Sequence, residues 1–250
     1  MSGTALLIVD IQYDFLPPDG ALAVKDGREV IPVINGFLDP SKWDWDLVVA
    51  SKDYHPKNHI SFASTHAKEP FSDQVVTDAH GFEYTQSMWP DHCVIGTHGS
   101  EIDKGISDKL ERWKHKMTIV RKGSYSKLEG YSAFDGILSD PTNPVEPPDT
   151  DGSETDRVTL PSDLALTRHL RSKHIHQIVV VGLATDFCVL QTSLSALSAG
   201  FRIVLVEPAI RGSFEDLSLA ALKKIEGAGG LVLGRNGQSW DDSLKEWIQS

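Results

Sequence analysis

Four short stretches of this 250-residue chain carry side chains that could do chemistry together. Asp10 closes the apolar run "ALLIVD", and a carboxylate at the carboxyl edge of an open α/β sheet stands where such sheets collect their ligands. The ordinary alternative is a capping or turn carboxylate, and Asp14 in the following "IQYDF" reads in that way, with Phe15 as a pocket wall. Asp53 and His55 follow "DLVVAS" two residues apart. In extended chain their side chains leave the same face, and carboxylate with neutral imidazole suits a borderline ion such as zinc. A third ligand must come from elsewhere; His59, His66, His80, His92 and His98 all qualify by type, and spacing alone does not choose among them. Each taken singly reads first as a surface or hydrogen-bonded histidine. In "MWPDHCVIGTHG", Trp89 and Pro90 stiffen the loop that aims His92, while Cys93 reads as a small buried hydrophobe ahead of a soft ligand.

Lys122 ends "MTIVRK" at another carboxyl edge; a solvated lysine is the ordinary reading, yet its ammonium reaches Asp10 if the two strands are adjacent. The last stretch, "VVVGLATDFCV", is a strand, a turn of small residues and a helix start at or near Cys188. A thiol at a helix N-terminus is drawn toward thiolate by the dipole and the free N–H groups, and those groups can also receive an oxyanion. A buried structural cysteine is the alternative, which the strand-turn-helix setting disfavours.

These residues need a frame that gathers strand ends. Six β-branched runs, "ALLIVD", "DLVVAS", "MTIVRK", "QIVVVG", "RIVLVE" and "GLVLG", read as buried parallel strands. Helical patterns at 162–173, 188–199 and 214–228 alternate with the later ones. The expected fold is therefore α/β, a doubly wound three-layer sandwich around a mainly parallel six-stranded sheet, in one domain spanning 1–250. The stretch between "DLVVAS" and "MTIVRK" reads as ordered loops over the strand ends, where a site would be built. The acidic, Pro-rich segment at about 140–157 reads as a surface insertion with a tendency to disorder. The tail "SWDDSLKEWIQS" places Trp240, Leu244, Trp247 and Ile248 on one helical face, with Ser239 as its cap, and reads as a helix packed on the body.

A net charge of -11 without a basic stripe argues against nucleic acid or an anionic membrane as partner and favours a small molecule. Two cysteines make no disulfide framework, and "TALLIVDI" reads as a strand and not a signal or membrane segment, so the cytoplasm, with the nucleus second, is the expected compartment. Neither a GxGxxG or P-loop after the first strand nor a GxSxG occurs, which disfavours nucleotide binding and a serine α/β-hydrolase.

Taken in order, "ALLIVDIQYDF", "SKDYHPKNHISFAS", "WPDHCVIGTHGSE", "VRKGSYSKLEGYSAF" and "VGLATDFCV" resemble the isochorismatase-like cysteine hydrolases and, within them, the nicotinamidase group, with a fungal or yeast-like character. The resemblance covers nearly the whole chain. It implies that Asp10, Lys122 and Cys188 form the catalytic triad. It also implies that Asp53, His55 and His92 bind one divalent ion, zinc first with iron(II) and manganese(II) as alternatives, and that His59 and Ser61 lie near it. Phe15, Trp89, Tyr131 and Phe187 match positions around a pyridine ring. A cis bond between Leu183 and Ala184 is implied, with the N–H groups of Ala184 and Cys188 facing an oxyanion. The activity implied is hydrolysis of nicotinamide, with pyrazinamide as a side substrate; a homo-oligomer is left open. Another amidase of this fold, or an isochorismatase-type hydrolase, is the competing reading. The latter commonly lacks the cysteine and has no need of the metal motif. A catalytically silent scaffold of this fold would be expected to have lost a triad or ligand position. The insertion departs from compact relatives and bears on loop contacts and assembly, not on the chemistry.

Overall fold

The computed structural model describes residues 3–144, 146–155 and 160–250. In chain order its elements are β1 (Gly3–Val9), α1 (Val30–Phe37), β2 (Leu47–Asp53), β3 (Asp73–Thr77), β4 (Glu83–Ser87), α2 (Lys104–Leu110), β5 (Met117–Lys122) and β6 (Ile137–Ser139). Then come α3 (Ala165–Ser172), β7 (Ile175–Leu183), α4 (Leu190–Ser198), β8 (Arg202–Arg211), α5 (Glu215–Gly227), β9 (Leu231–Leu233) and α6 (Asp241–Gln249). The main sheet runs β6-β5-β2-β1-β7-β8-β9, parallel throughout except for the β5–β6 pair.

β1 is apolar almost without alternation because both faces of the sheet are covered. Leu6 and Ile8 point to a core closed by Ile34 and Phe37 of α1, Ile106 of α2 and Leu244 of α6. Ala5, Leu7 and Val9 point the other way, to Leu166 and Leu170 of α3, Ala196 of α4 and Ile225 of α5. This is the expected three-layer α/β sandwich, and it buries apolar side chains on both sides of the strands that will carry the site.

All six expected strands form, but the sheet has seven. The seventh, β6, is a three-residue antiparallel edge strand too short to announce itself by periodicity. The region between β2 and β5 is not loops alone, because it contains the β3–β4 hairpin and α2. Trp240, and not Ser239, occupies the cap position of α6, without a side-chain capping bond; Leu244 is fully buried and Trp240, Trp247 and Ile248 pack against the core beside it.

The described part of the acidic insertion is tied down. Ser126 N–H donates to Thr150 O at 3.2 Å, Lys127 N–H to Asp151 O at 3.3 Å, and the Tyr54 hydroxyl to Glu146 at 2.9 Å. Its residues 145, 156 and 157 lie outside the described residues. Among the described residues no helix is long and apolar enough to cross a membrane.

Candidate active site

Ladder register brings the chemical side chains to one edge. Val9 pairs with Ser51 on one side and Gly182 on the other, so Asp10 emerges between the ends of β2 and β7. Asp53 and Lys122 are register partners on β2 and β5, hence on the same face. β5 is not adjacent to β1, since β2 lies between them. Lys122 nonetheless reaches Asp10, because a lysine stem is long enough to cross one strand.

The result is a buried ionic cluster. Lys122 Nζ lies 2.9 Å from Asp10 Oδ2, contacts Asp53 Oδ1, and lies 3.3 Å from Cys188 Sγ. Ser51 Oγ donates to Asp10 Oδ1 at 2.7 Å. The Asp10 and Asp53 carboxylates and the Cys188 sulfur lie within 4.8 Å of one another. Burial works against a charged Lys122, but Asp10 and Asp53 outweigh it and hold the ammonium's pKa well above the usual lysine value. Burial raises the Asp10 pKa despite Lys122, leaving a carboxylate more basic than an exposed one. Burial would raise Asp53 as well, but Lys122 and His55 prevail and hold it well below the carboxylate range.

Cys188 sits in a π-helical turn, Thr185–Val189, that joins β7 to α4; Val189 N–H reaches Ala184 O at 3.1 Å. The Leu183–Ala184 bond is cis. The thiol is buried, and burial, seconded by Asp10 and Asp53, raises its pKa well above the ordinary value against the pull of Lys122. Burial thus opposes the helix-start argument, which favoured thiolate, and the Cys188 sulfur faces the Asp10 carboxylate. Asp186, which sequence reasoning passed over, braces this turn. Its two oxygens accept the N–H groups of Ser213 at 3.0 Å and Phe214 at 2.8 Å, just before α5. A "TDF" carboxylate between a strand and a helix carries no local sign of a partner almost thirty residues on.

Beside the cluster, Asp53, His55 and His92 offer three ligand atoms within 4.8 Å of one another. His55 Nε2 and His92 Nε2 lie 3.5 and 3.7 Å from Asp53 Oδ2. Each ring uses its other nitrogen on a backbone carbonyl, His55 Nδ1 on Gly123 O at 2.8 Å and His92 Nδ1 on Pro90 O at 2.7 Å. Those bonds place a proton on Nδ1 of each ring and turn both Nε2 atoms toward Asp53, the orientation that a cation needs. Gly123, at φ +60°, has to be glycine, because a Cβ there would strike the His55 ring. The residues present therefore fit a divalent ion.

The His59 ring lies tilted by 32° against His55 with centroids 4.1 Å apart, and both of its nitrogens are engaged, Nδ1 with Ser61 Oγ at 2.8 Å and Nε2 with Leu128 O at 3.1 Å. Burial and the neighbouring His55 push the His59 pKa well below the usual imidazole value, and His59 with His55 and Glu129 makes a second group whose ligand atoms lie within 4.8 Å of one another. His66 is bonded to Ile60 O, His80 to Thr155 and His98 to Glu101. Cys93 is wholly buried and stands outside the ligand set.

A cavity of about 330 Å³ opens over Cys188, Asp53, His92 and Ala184, walled by Phe15, Trp89, Tyr131 and Phe187. Trp89 and Phe187 meet edge to face at 5.2 Å, and Trp89 Nε1–H donates to the Tyr131 hydroxyl at 3.0 Å, so the walls hold one another. Phe71 and Phe214, 64% and 46% exposed, form the mouth.

The sequence shares 31% identity over 227 residues, 90% of either chain, with the nicotinamidase of Schizosaccharomyces pombe. The chain belongs to the nicotinamidase group of the isochorismatase-like hydrolases. The isochorismatase-domain profile itself matches residues 157–236, the segment that contains the Cys188 turn. Among solved nicotinamidases, the yeast structure superposes with a TM-score of 0.77 at 27% identity, covering 93% of this chain and all of that one. The Pyrococcus horikoshii pyrazinamidase, solved in complex with zinc, superposes at 0.64 with 27% identity, covering 92% of this chain and 98% of that one.

Proposed function

We propose that the chain hydrolyses nicotinamide to nicotinate and ammonia through a thioester on Cys188, and accepts pyrazinamide as well. The observation that carries this reading is Lys122, whose ammonium bridges the Asp10 carboxylate and the Cys188 sulfur under an aromatic-walled cavity.

Asp10 takes the Cys188 proton as the sulfur attacks the carboxamide carbon, and Lys122 stabilises the negative charge that passes between them. The N–H groups of Ala184 and Cys188 receive the developing oxyanion. Collapse of the tetrahedral species breaks the C–N bond, and Asp10 returns its proton to the departing ammonia. Asp10 then takes a proton from water as the resulting hydroxide adds to the thioester; collapse of that species breaks the C–S bond, Asp10 returns the proton to the leaving sulfur, and the product loses its own proton to solvent as nicotinate. Phe15, Trp89, Tyr131 and Phe187 clamp the flat ring so that the carbonyl stays over sulfur.

Asp53, His55 and His92 would hold a divalent ion, zinc first. Bound there it supplies a Lewis-acid position for the ring nitrogen and orients the ring. The zinc-bound relative and the two Nε2 atoms turned toward Asp53 support that choice.

Ammonia release from nicotinamide, pyrazinamide and a carbamoyl amide, with and without a chelator, tests the reading. Turnover of the two heteroaromatic amides that falls on chelation is expected. Preference for the carbamoyl amide, or indifference to the chelator, would overturn the substrate or the metal assignment respectively.

A further inference from the structure

Between Asp10 and the cavity wall runs the segment "DIQYDF", and two of its polar residues have no part in the mechanism above. Gln12 is completely buried. Its Oε1 accepts the Asp53 N–H at 2.7 Å, and its Nε2 donates to Asp53 O at 2.8 Å and to Ser100 O at 3.0 Å. One side-chain amide thus grips both sides of the Asp53 backbone, as a neighbouring strand's peptide would, at the point where β2 ends and ladder pairing stops.

Asp14 does the same for the opposite arm. Its Oδ2 accepts the Cys93 N–H at 2.6 Å, immediately after His92. Cys93 has φ +48°, a left-handed conformation unusual for a residue with a side chain, and such a backbone persists only where its surroundings hold it. Gly99 lies against the Asp14 carboxylate so closely that a Cβ would collide with it, so the loop is shaped to admit that group. Cys93 O in turn accepts the His55 N–H at 3.1 Å.

The backbones of all three proposed ligands therefore hang on two side chains of one five-residue segment that begins at Asp10. Asp53 is also pulled by Lys122 on Oδ1, while Oδ2 must stay toward the two imidazoles. Only a fixed Asp53 peptide keeps both contacts at once.

We infer that Gln12 and Asp14 are positioning residues of the metal centre, Gln12 setting the Asp53 arm and Asp14 the His92 and His55 arm. The inference rests on the ligand assignment proposed above. Partners behind metal ligands commonly change metal affinity by about 10–100-fold when removed.

The test is zinc affinity of the metal-free protein, measured by competition with a chromophoric chelator. The metal-free unfolding midpoint and the rate of Cys188 alkylation are followed beside it. Gln12→Ala and Asp14→Ala should each weaken zinc binding by about 10–100-fold, and Asp14→Asn, which keeps an acceptor for the Cys93 N–H, should restore it. The alkylation rate should stay near wild type, the Asp14→Asn midpoint should match wild type, the Gln12→Ala midpoint should fall because three buried hydrogen bonds are lost, and the visible spectrum of the cobalt(II)-loaded Gln12→Ala protein should shift. If Gln12→Ala does not fold, the Asp14→Ala and Asp14→Asn pair decides. Wild-type zinc affinity in the alanine variants would overturn the inference, as would a loss matched by altered alkylation. Wild-type protein that binds no zinc, or His92→Ala protein that binds it undiminished, would instead overturn the ligand assignment itself.

Discussion

The floor and the walls of the cavity are built on opposite principles. The floor, Asp10, Asp53 and Lys122, stands at the ends of three adjacent strands whose register fixes each side chain to within a ladder step. Its groups are buried and ionic, and each charge is balanced chiefly by the others, so removing one leaves an uncompensated charge. The walls come from loops and turns: Phe15 from a short helical turn after β1, Trp89 after β4, Tyr131 after β5, Phe187 within the Cys188 turn. They are aromatic, and Trp89, Tyr131 and Phe187 brace one another by ring contacts and the Trp89–Tyr131 hydrogen bond. The sheet thus sets the reaction, and the loops set what is brought to it.

Substitutions can break that contrast. On the floor, Asp10→Asn removes the proton acceptor while keeping the shape, and kcat for ammonia release should fall by about 10²–10⁴-fold, the usual worth of a general acid–base group. Steady-state kinetics should show KM little changed. At the junction of floor and wall, His92→Ala should lose most of its bound metal on elemental analysis while circular dichroism stays native; full metal content would show that the ligand set is wrong. On the wall, Trp89→Phe keeps an aromatic face but loses the hydrogen bond to Tyr131. Given a net worth of about 0.5–1.5 kcal/mol for such a bond, KM should rise by about twofold to tenfold with kcat nearly intact. A wall variant that lost kcat as steeply as Asp10→Asn would erase the distinction.

The sequence revealed the floor more readily than what supports it. Asp10, Asp53 and Lys122 each end an apolar β-branched run, a pattern that says "strand end" without any partner in view. Which strands are neighbours is not local information, and Lys122 reaches Asp10 across β2 and not from an adjacent strand. His92 could not be told from four other histidines by spacing, because what distinguishes it is the Pro90 carbonyl that turns its Nε2 inward. Resemblance, not periodicity, singled it out. Gln12, Asp14 and Asp186 act through backbone groups 41, 79 and 27–28 residues away, and no window of sequence contains both partners. The upward push on the Cys188 pKa comes from burial, which a strand-turn-helix pattern does not reveal.

The claim on which everything else depends is that Cys188 forms the new bond. Its most direct test is ammonia release from nicotinamide by folded, metal-loaded Cys188→Ala protein compared with wild type at equal metal content. The account expects turnover to be abolished, with the metal and the fold retained. Turnover close to wild type would contradict it and move the nucleophile elsewhere in the cavity.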